Sequence, residues 1–157
     1  MTPVSVDVLL VEDDPAAREL TLRALRRLDH SITVQLAFTG LEALEYLTSR
    51  GSFARRGTLP RPKLILLDLQ VPFLNGLEVL QFLRDEASCP ETPIVLFTSS
   101  EDPKDIKMAY DNGVNAYVVK PTSASKFAAA VTGIAKFWLP PAVRAGADLG
   151  QRRVVAS

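Results

Sequence analysis

The sequence predicts an α/β chain in which helices cover both faces of a parallel, five-stranded sheet. Three observations lead there. Five short apolar runs recur along the chain, and near-continuous apolar runs of that length mark strands buried on both faces. Each is followed by a stretch whose apolar residues return at helical spacing, so strand and helix alternate. The 157 residues, 47% apolar and 23% charged, suit one packed domain and exclude a disordered tail protein, a collagen-like repeat or a disulfide scaffold.

The first run, Val6 to Val11, stops at Glu12-Asp13-Asp14-Pro15, where Asp14 suits a helix N-cap and Pro15 the first helical turn. Ala17, Leu20, Ala24 and Leu28 continue at helical spacing. Ile32 to Ala37 reads as the second strand, and Leu41, Leu44 and Leu47 as the stripe of a second helix after Thr39-Gly40. Arg50 to Lys63 holds two glycines, two prolines and five basic residues without apolar periodicity, the pattern of a long surface loop. Leu64 to Leu67 forms the third strand and ends in Asp68; the helix from Gly76 to Phe82 carries Val79 and Leu80 on one side, with Leu83 just beyond. Ile94 to Phe97 runs through Thr98-Ser99-Ser100 into a helix opened by Pro103 and closed by Asn112-Gly113. Ala116 to Val119 meets Lys120-Pro121, and a last helix carries Phe127, Val131, Ile134 and Trp138 until Pro140-Pro141 stops it.

Right-handed crossovers between five such units give a doubly wound, flavodoxin-like sheet of order 2-1-3-4-5. Residues 1–140 read as this one domain and residues 141–157 as a C-terminal tail or arm with no output domain. Eighteen basic residues balance eighteen acidic ones, so no net field draws the chain to nucleic acid or to an anionic membrane. Lone Cys89 allows no internal disulfide or cysteine-rich zinc site. The N-terminus lacks the basic-then-apolar order of a signal peptide, so a cytoplasmic location is expected.

Doubly wound sheets bind ligands outside the carboxyl ends of their strands. There the chain places Glu12-Asp13, Asp68, Thr98 and Lys120, one polar group or pair per strand. Singly, each has a bland role as helix cap, turn residue or surface cation. Together, three carboxylates at one edge call for a compensating cation. Oxygen donors without His or Cys suit Mg2+, which binds through one or two carboxylates plus a phosphate oxygen. A phosphoryl group is the expected guest.

The joint pattern Glu-Asp, Asp-Leu-x-x-Pro-x-x-Asn-Gly, Thr-Ser and Lys-Pro at successive strand ends resembles the receiver domain of two-component response regulators, over Val6 to Leu139. The resemblance implies Asp68 as phosphoacceptor, with Thr98 and Lys120 binding the phosphoryl oxygens. It implies Mg2+ held by Asp13, Asp68 and the main-chain oxygen of Gln70, with Glu12 acting through water. Thr98 and Tyr117 would form the switch pair, and Pro121 would follow a cis peptide bond. The Arg-rich loop, the Thr-Ser-Ser triplet and the Phe-Trp-Leu-Pro ending resemble the small stand-alone regulators partnered with bacterial phytochrome histidine kinases. That implies a sensor histidine kinase, of the bacteriophytochrome kind, as partner, and a protein that accepts phosphoryl groups rather than an enzyme with a small-molecule substrate. The side chain at Gln70 varies in the family, so it leaves the phosphoryl lifetime open.

A phosphatase of the haloacid dehalogenase type also uses a strand-end Asp with Mg2+ and Lys, but it needs a second Asp two residues on, where this chain has Gln70. A degenerate receiver would lack one of the charged positions, and all are present. His30 and Cys89 read as a surface histidine and an incidental thiol. Phe137, Trp138 and Leu139 place an apolar group at the end of the last helix; either it folds back onto its own sheet or, with Tyr117 and as the resemblance to stand-alone receivers implies, it joins two copies in a homodimer through the fourth helix, fifth strand and fifth helix.

Overall fold

A computed structural model describes residues 6–48, 61–85 and 91–140. Every residue of β1 (Val8–Val11), β3 (Leu64–Leu67) and β4 (Ile94–Thr98) is buried, as the unbroken apolar runs require. They form the centre of a parallel sheet ordered β2-β1-β3-β4-β5, with β2 (Val34–Ala37) and β5 (Ala116–Val119) at the edges. Alternate side chains pass to opposite faces. On one side Leu9, Val11, Ile65, Leu67 and Leu96 pack under α2 (Gly40–Thr48), α3 (Gly76–Asp85) and α4 (Pro103–Asp111). On the other, Val8, Leu10, Leu66, Val95 and Phe97 pack under α1 (Pro15–Leu28) and α5 (Ala124–Trp138). The register pairs Val11 with Leu67 and Leu67 with Leu96, so the strands finish level and deliver their following residues to one edge.

The caps are those the sequence names. Asp14 accepts from the backbone N–H of Ala16 and Ala17 with Pro15 in the first turn. Gly113 has φ 86° after the end of α4, where a side chain would strain the backbone.

Several elements differ in detail. The first strand starts at Val8, because Asp7 is withdrawn into a buried polar tie: its carboxylate accepts from the Thr33 N–H at 2.9 Å and pairs with Lys63 at 3.1 Å. The same tie starts β2 at Val34, two residues after the expected Ile32. On α1 the fully covered positions are Ala17, Thr21, Ala24 and Leu25, while Leu20 and Leu28 are only partly covered. Thr21 is tolerated inside because its hydroxyl donates to the Ala17 carbonyl at 2.8 Å. On α2 Leu41 is 47% exposed and Tyr46 takes the buried place. Val79, Leu80 and Leu83 are wholly buried, as expected.

The end of α5 also differs. Leu139 is buried in its own core and Trp138 is half-covered against it, leaving Phe137 outside with its ring edge-on to Trp138. The apolar group expected to need a partner is thus mostly covered within one chain. His30 is exposed. The basic loop up to residue 60, Cys89 and the expected tail lie outside the described residues.

Gly40 shows how tightly the carboxyl-edge loops pack, and Gly133 how open a helix surface is. Gly40 donates its N–H to the Pro72 carbonyl at 3.1 Å, and a Cβ there would overlap the Leu74 carbonyl. Gly133, on α5, has nothing within 4 Å. Gly40→Ala is therefore expected to cost roughly 2 kcal/mol or more through backbone displacement. Gly133→Ala should add about 0.5–1 kcal/mol by restricting the unfolded chain. Urea unfolding of both variants checks the opposite signs.

Candidate functional site

β1 and β3 run side by side to Val11 and Leu67, so the next residues, Glu12 and Asp68, emerge together. Both are buried, at 3% and 7% exposure. Between them lies Lys120 from the end of β5, its Nζ 2.5 Å from Glu12 Oε1 and 2.7 Å from Asp68 Oδ2. The Lys120 backbone N–H donates to the Thr98 carbonyl at 2.7 Å, which fixes the lysine beside the end of β4. The second Asp68 oxygen accepts from the Gln70 N–H at 3.0 Å, and the second Glu12 oxygen from the Asp14 N–H at 3.2 Å.

Burial is the main influence on these charges. It pushes Glu12 up to about 7, helped by the Asp68 charge and opposed by Lys120. Burial alone would lower Lys120, but hydrogen bonds and charges from Asp68 and Glu12 outweigh it and hold the ammonium above its ordinary value.

Thr98 is fully buried, and its hydroxyl has no hydrogen-bond partner among the described residues. Tyr117, one strand over, is half-buried; its hydroxyl donates to the Ser100 carbonyl at 2.9 Å, and burial raises the phenol above its usual value. The Tyr117 N–H, on the outer edge of β5, donates to the Tyr110 hydroxyl of α4 at 3.2 Å.

The structure thus joins Glu12, Asp68 and Lys120 directly, with Thr98 beside them. The three expected carboxylates do not converge. Asp13 stands exposed at the rim, and among the described residues no three His, Cys or carboxylate side chains form a ready metal cluster. Lys120 supplies a counter-charge to the two buried carboxylates. The donor chemistry still fits a hard divalent ion: Asp13, Asp68 and a main-chain oxygen at Gln70 are all oxygen donors. No described peptide bond is cis, so the bond before Pro121 is trans. The trans preference before proline is only about 0.5–1 kcal/mol, and Lys-Pro by itself does not set the isomer.

Arg18 was not foreseen. It donates to the main-chain oxygens of Glu12 and Asp13 at 3.3 and 3.0 Å and lies 4.3 Å from the Phe38 ring centre, bracing the acidic turn. Its place one helical turn after Asp14 is the only trace in the sequence. A groove of about 350 Å3 opens beside Lys120, lined by Asp14, Ala17, Leu20, Ser99 and Phe127 among others.

The family of response regulator receiver domains matches residues 8–132. The chain belongs to that family. Receivers are signalling modules that pair with histidine kinases, and relatives of this one bear varied names. FilR2 of Methanothrix harundinacea, a regulatory protein named for methanogenesis, is 36% identical over 84% of this chain and 83% of its own. Response regulator Rcp1 of Synechocystis is 34% identical over 84% of this chain and 88% of its own. A crystal structure of the Mn2+-bound form of Rcp1 superposes with TM-score 0.78 at 32% identity, over 85% of this receiver and 94% of that chain. The bacteriophytochrome response regulator RtBRR is 44% identical with TM-score 0.68, over 83% of this receiver and 79% of its chain. No helix among the described residues is long and apolar enough to cross a membrane.

Lys120→Met leaves two buried carboxylates without their cation and should cost roughly 3 kcal/mol of stability at neutral pH. Asp68→Asn keeps the Lys120 pair with Glu12 and should cost less. Urea unfolding of the two variants side by side checks the order.

Proposed function

We propose that this receiver takes a phosphoryl group from a histidine kinase onto Asp68 and passes the signal on through the face formed by α4, β5 and α5. The observation that carries the reading is the Asp68 carboxylate held 2.7 Å from Lys120, beside a buried Thr98 hydroxyl with no described partner. In the transfer an Asp68 oxygen bonds to phosphorus as the phosphorus–nitrogen bond of a phosphohistidine breaks, its electron pair staying on the imidazole. Lys120 neutralises charge on the transferred group, and the Thr98 hydroxyl donates to one of its oxygens. Asp13, Asp68 and the Gln70 carbonyl would hold Mg2+, with Glu12 acting through water. When bound, the ion offsets phosphoryl charge and orients the group for in-line transfer.

Once phosphorylated, Asp68 presents oxygens that the free Thr98 hydroxyl satisfies by turning inward, and Tyr117 follows into the space, releasing the Ser100 carbonyl. That movement repacks α4 against β5. Residues 1–140 are the receiver in this reading, acting in the cytoplasm without nucleic acid, and output runs through a partner or a second copy. The likeness to RtBRR, together with the Arg-rich loop and the Phe-Trp-Leu-Pro ending, supports a bacteriophytochrome as the donor.

Asp68→Asn should abolish labelling by an autophosphorylated bacteriophytochrome kinase, and chelation of Mg2+ should lower wild-type labelling at least tenfold. Phosphate incorporation resolved by acid-labile gel analysis reads both. Labelling of the variant at the wild-type rate sinks the acceptor assignment.

The dimer is proposed on the same face, where Met108, Tyr110, Val119 and Phe137 are 47%, 51%, 36% and 76% exposed. Because Trp138 and Leu139 are covered within the chain, Phe137→Ala is the informative variant. It should shift sedimenting species at micromolar concentration from dimer toward monomer; a wild-type monomer refutes the interface.

A further inference from the structure

Phe73 is a residue choice that the fold of one chain does not require. Its φ is 69°, and it is the only non-glycine among the described residues in the left-handed region, where a bulky L side chain is strained and glycine or asparagine is at ease. Its ring is nonetheless 79% exposed and covers neither core nor site. An asparagine would relieve the strain and remove the exposed apolar surface together.

The loop around it is firmly set. Val71 is buried, Leu74 packs against the core, the Pro72 carbonyl accepts the Gly40 N–H at 3.1 Å, and Gly76 sits so close beneath Asp68 that a Cβ would fall 2.6 Å from its carbonyl oxygen. A rigid frame therefore holds the ring outward, five residues after the phosphoacceptor. Phe38 and Leu41, just before and after Gly40, are 45% and 47% exposed, Phe38 under the Arg18 guanidinium and Leu41 in the first turn of α2. Exposed Asp13, Asp14 and Ser99 also belong to the rim.

Asp68 is only 7% exposed. A small phosphodonor can enter such a recess alone, whereas a histidine on a protein can reach it only if the surrounding surface comes down on the rim. We infer that Phe73 is a recognition anchor for the phosphohistidine-bearing protein, burying its ring against an apolar patch beside the donor histidine. The inference rests on the phosphotransfer reading above. The interface proposed between copies lies on α4, β5 and α5, elements that do not include this loop, so the occupant here is the donor.

The test uses a histidine kinase chosen because its autophosphorylated form labels the wild-type chain, with acetyl phosphate as the small donor. Phe73→Asn should lower kcat/KM for transfer from the kinase about tenfold, chiefly through KM. It should leave labelling by acetyl phosphate within twofold and raise the thermal midpoint as strain is released. Phe73→Tyr, which keeps the ring, should retain most of the kinase rate. Equal kinase rates in wild type and Phe73→Asn, parallel losses with both donors, or loss of a Phe73-dependent dimer as the cause of the slower rate would each overturn the anchor. If no kinase and no acetyl phosphate labels the wild type, the phosphotransfer reading itself fails, a result distinct from those three.

Discussion

Two carboxylates buried within reach of one ammonium set the terms for the rest of this structure. Glu12 and Asp68 are carried to the same point by parallel strands that end level, and both are largely buried. Desolvating one such charge is costly and desolvating two close together more so. Lys120 answers both, at 2.5 and 2.7 Å. Everything that places the lysine, from the pairing of β5 with β4 to its own N–H on the Thr98 carbonyl, is therefore also what makes the acidic edge tolerable. The arrangement is tense rather than idle, as the upward push on Glu12 to about 7 shows. Further negative charge at Asp68 would have to be accommodated within this three-way contact.

The strand-end residues were legible in the sequence because a parallel sheet converts chain order into spatial order. Glu12, Asp68, Thr98 and Lys120 each follow an apolar run, so five correctly placed strands sufficed to gather them. Their mutual geometry was not legible. Asp13 and Glu12 are indistinguishable as neighbours in a string, yet the pleat sends one into the lysine and the other to the rim, and the expected trio of carboxylates dissolves into a pair plus an exposed acid. Asp7 was hidden for a different reason: its partner Lys63 lies 56 positions away, beyond any local pattern. Helical stripes are legible where one face is apolar, as for Val79, Leu80 and Leu83, and less so on α2, where Tyr46 is buried and Leu41 stays exposed.

Phe73 marks the limit from the other side. Nothing about a phenylalanine between Pro72 and Leu74 announces a left-handed backbone, because the conformation is imposed by the packing of Gly40 and Gly76 on either side. The two tight glycines and the strained aromatic form one unit: close approach beneath the loop leaves it no room to relax. Local propensity and tertiary packing disagree here, as they tend to at places selected for contact rather than stability.

The hydrogen bond from the Tyr117 N–H to the Tyr110 hydroxyl bears on how copies of this chain can meet. An outer strand normally offers a row of open amide donors, an invitation to extend the sheet from one molecule into the next and onward into fibres. On β5 the central donor is already occupied by a phenol from the neighbouring helix. Association of copies across this side, as proposed above, would then proceed by side chains meeting side chains, a closed two-body contact that can come apart again, with the same phenol guarding against endless polymerisation.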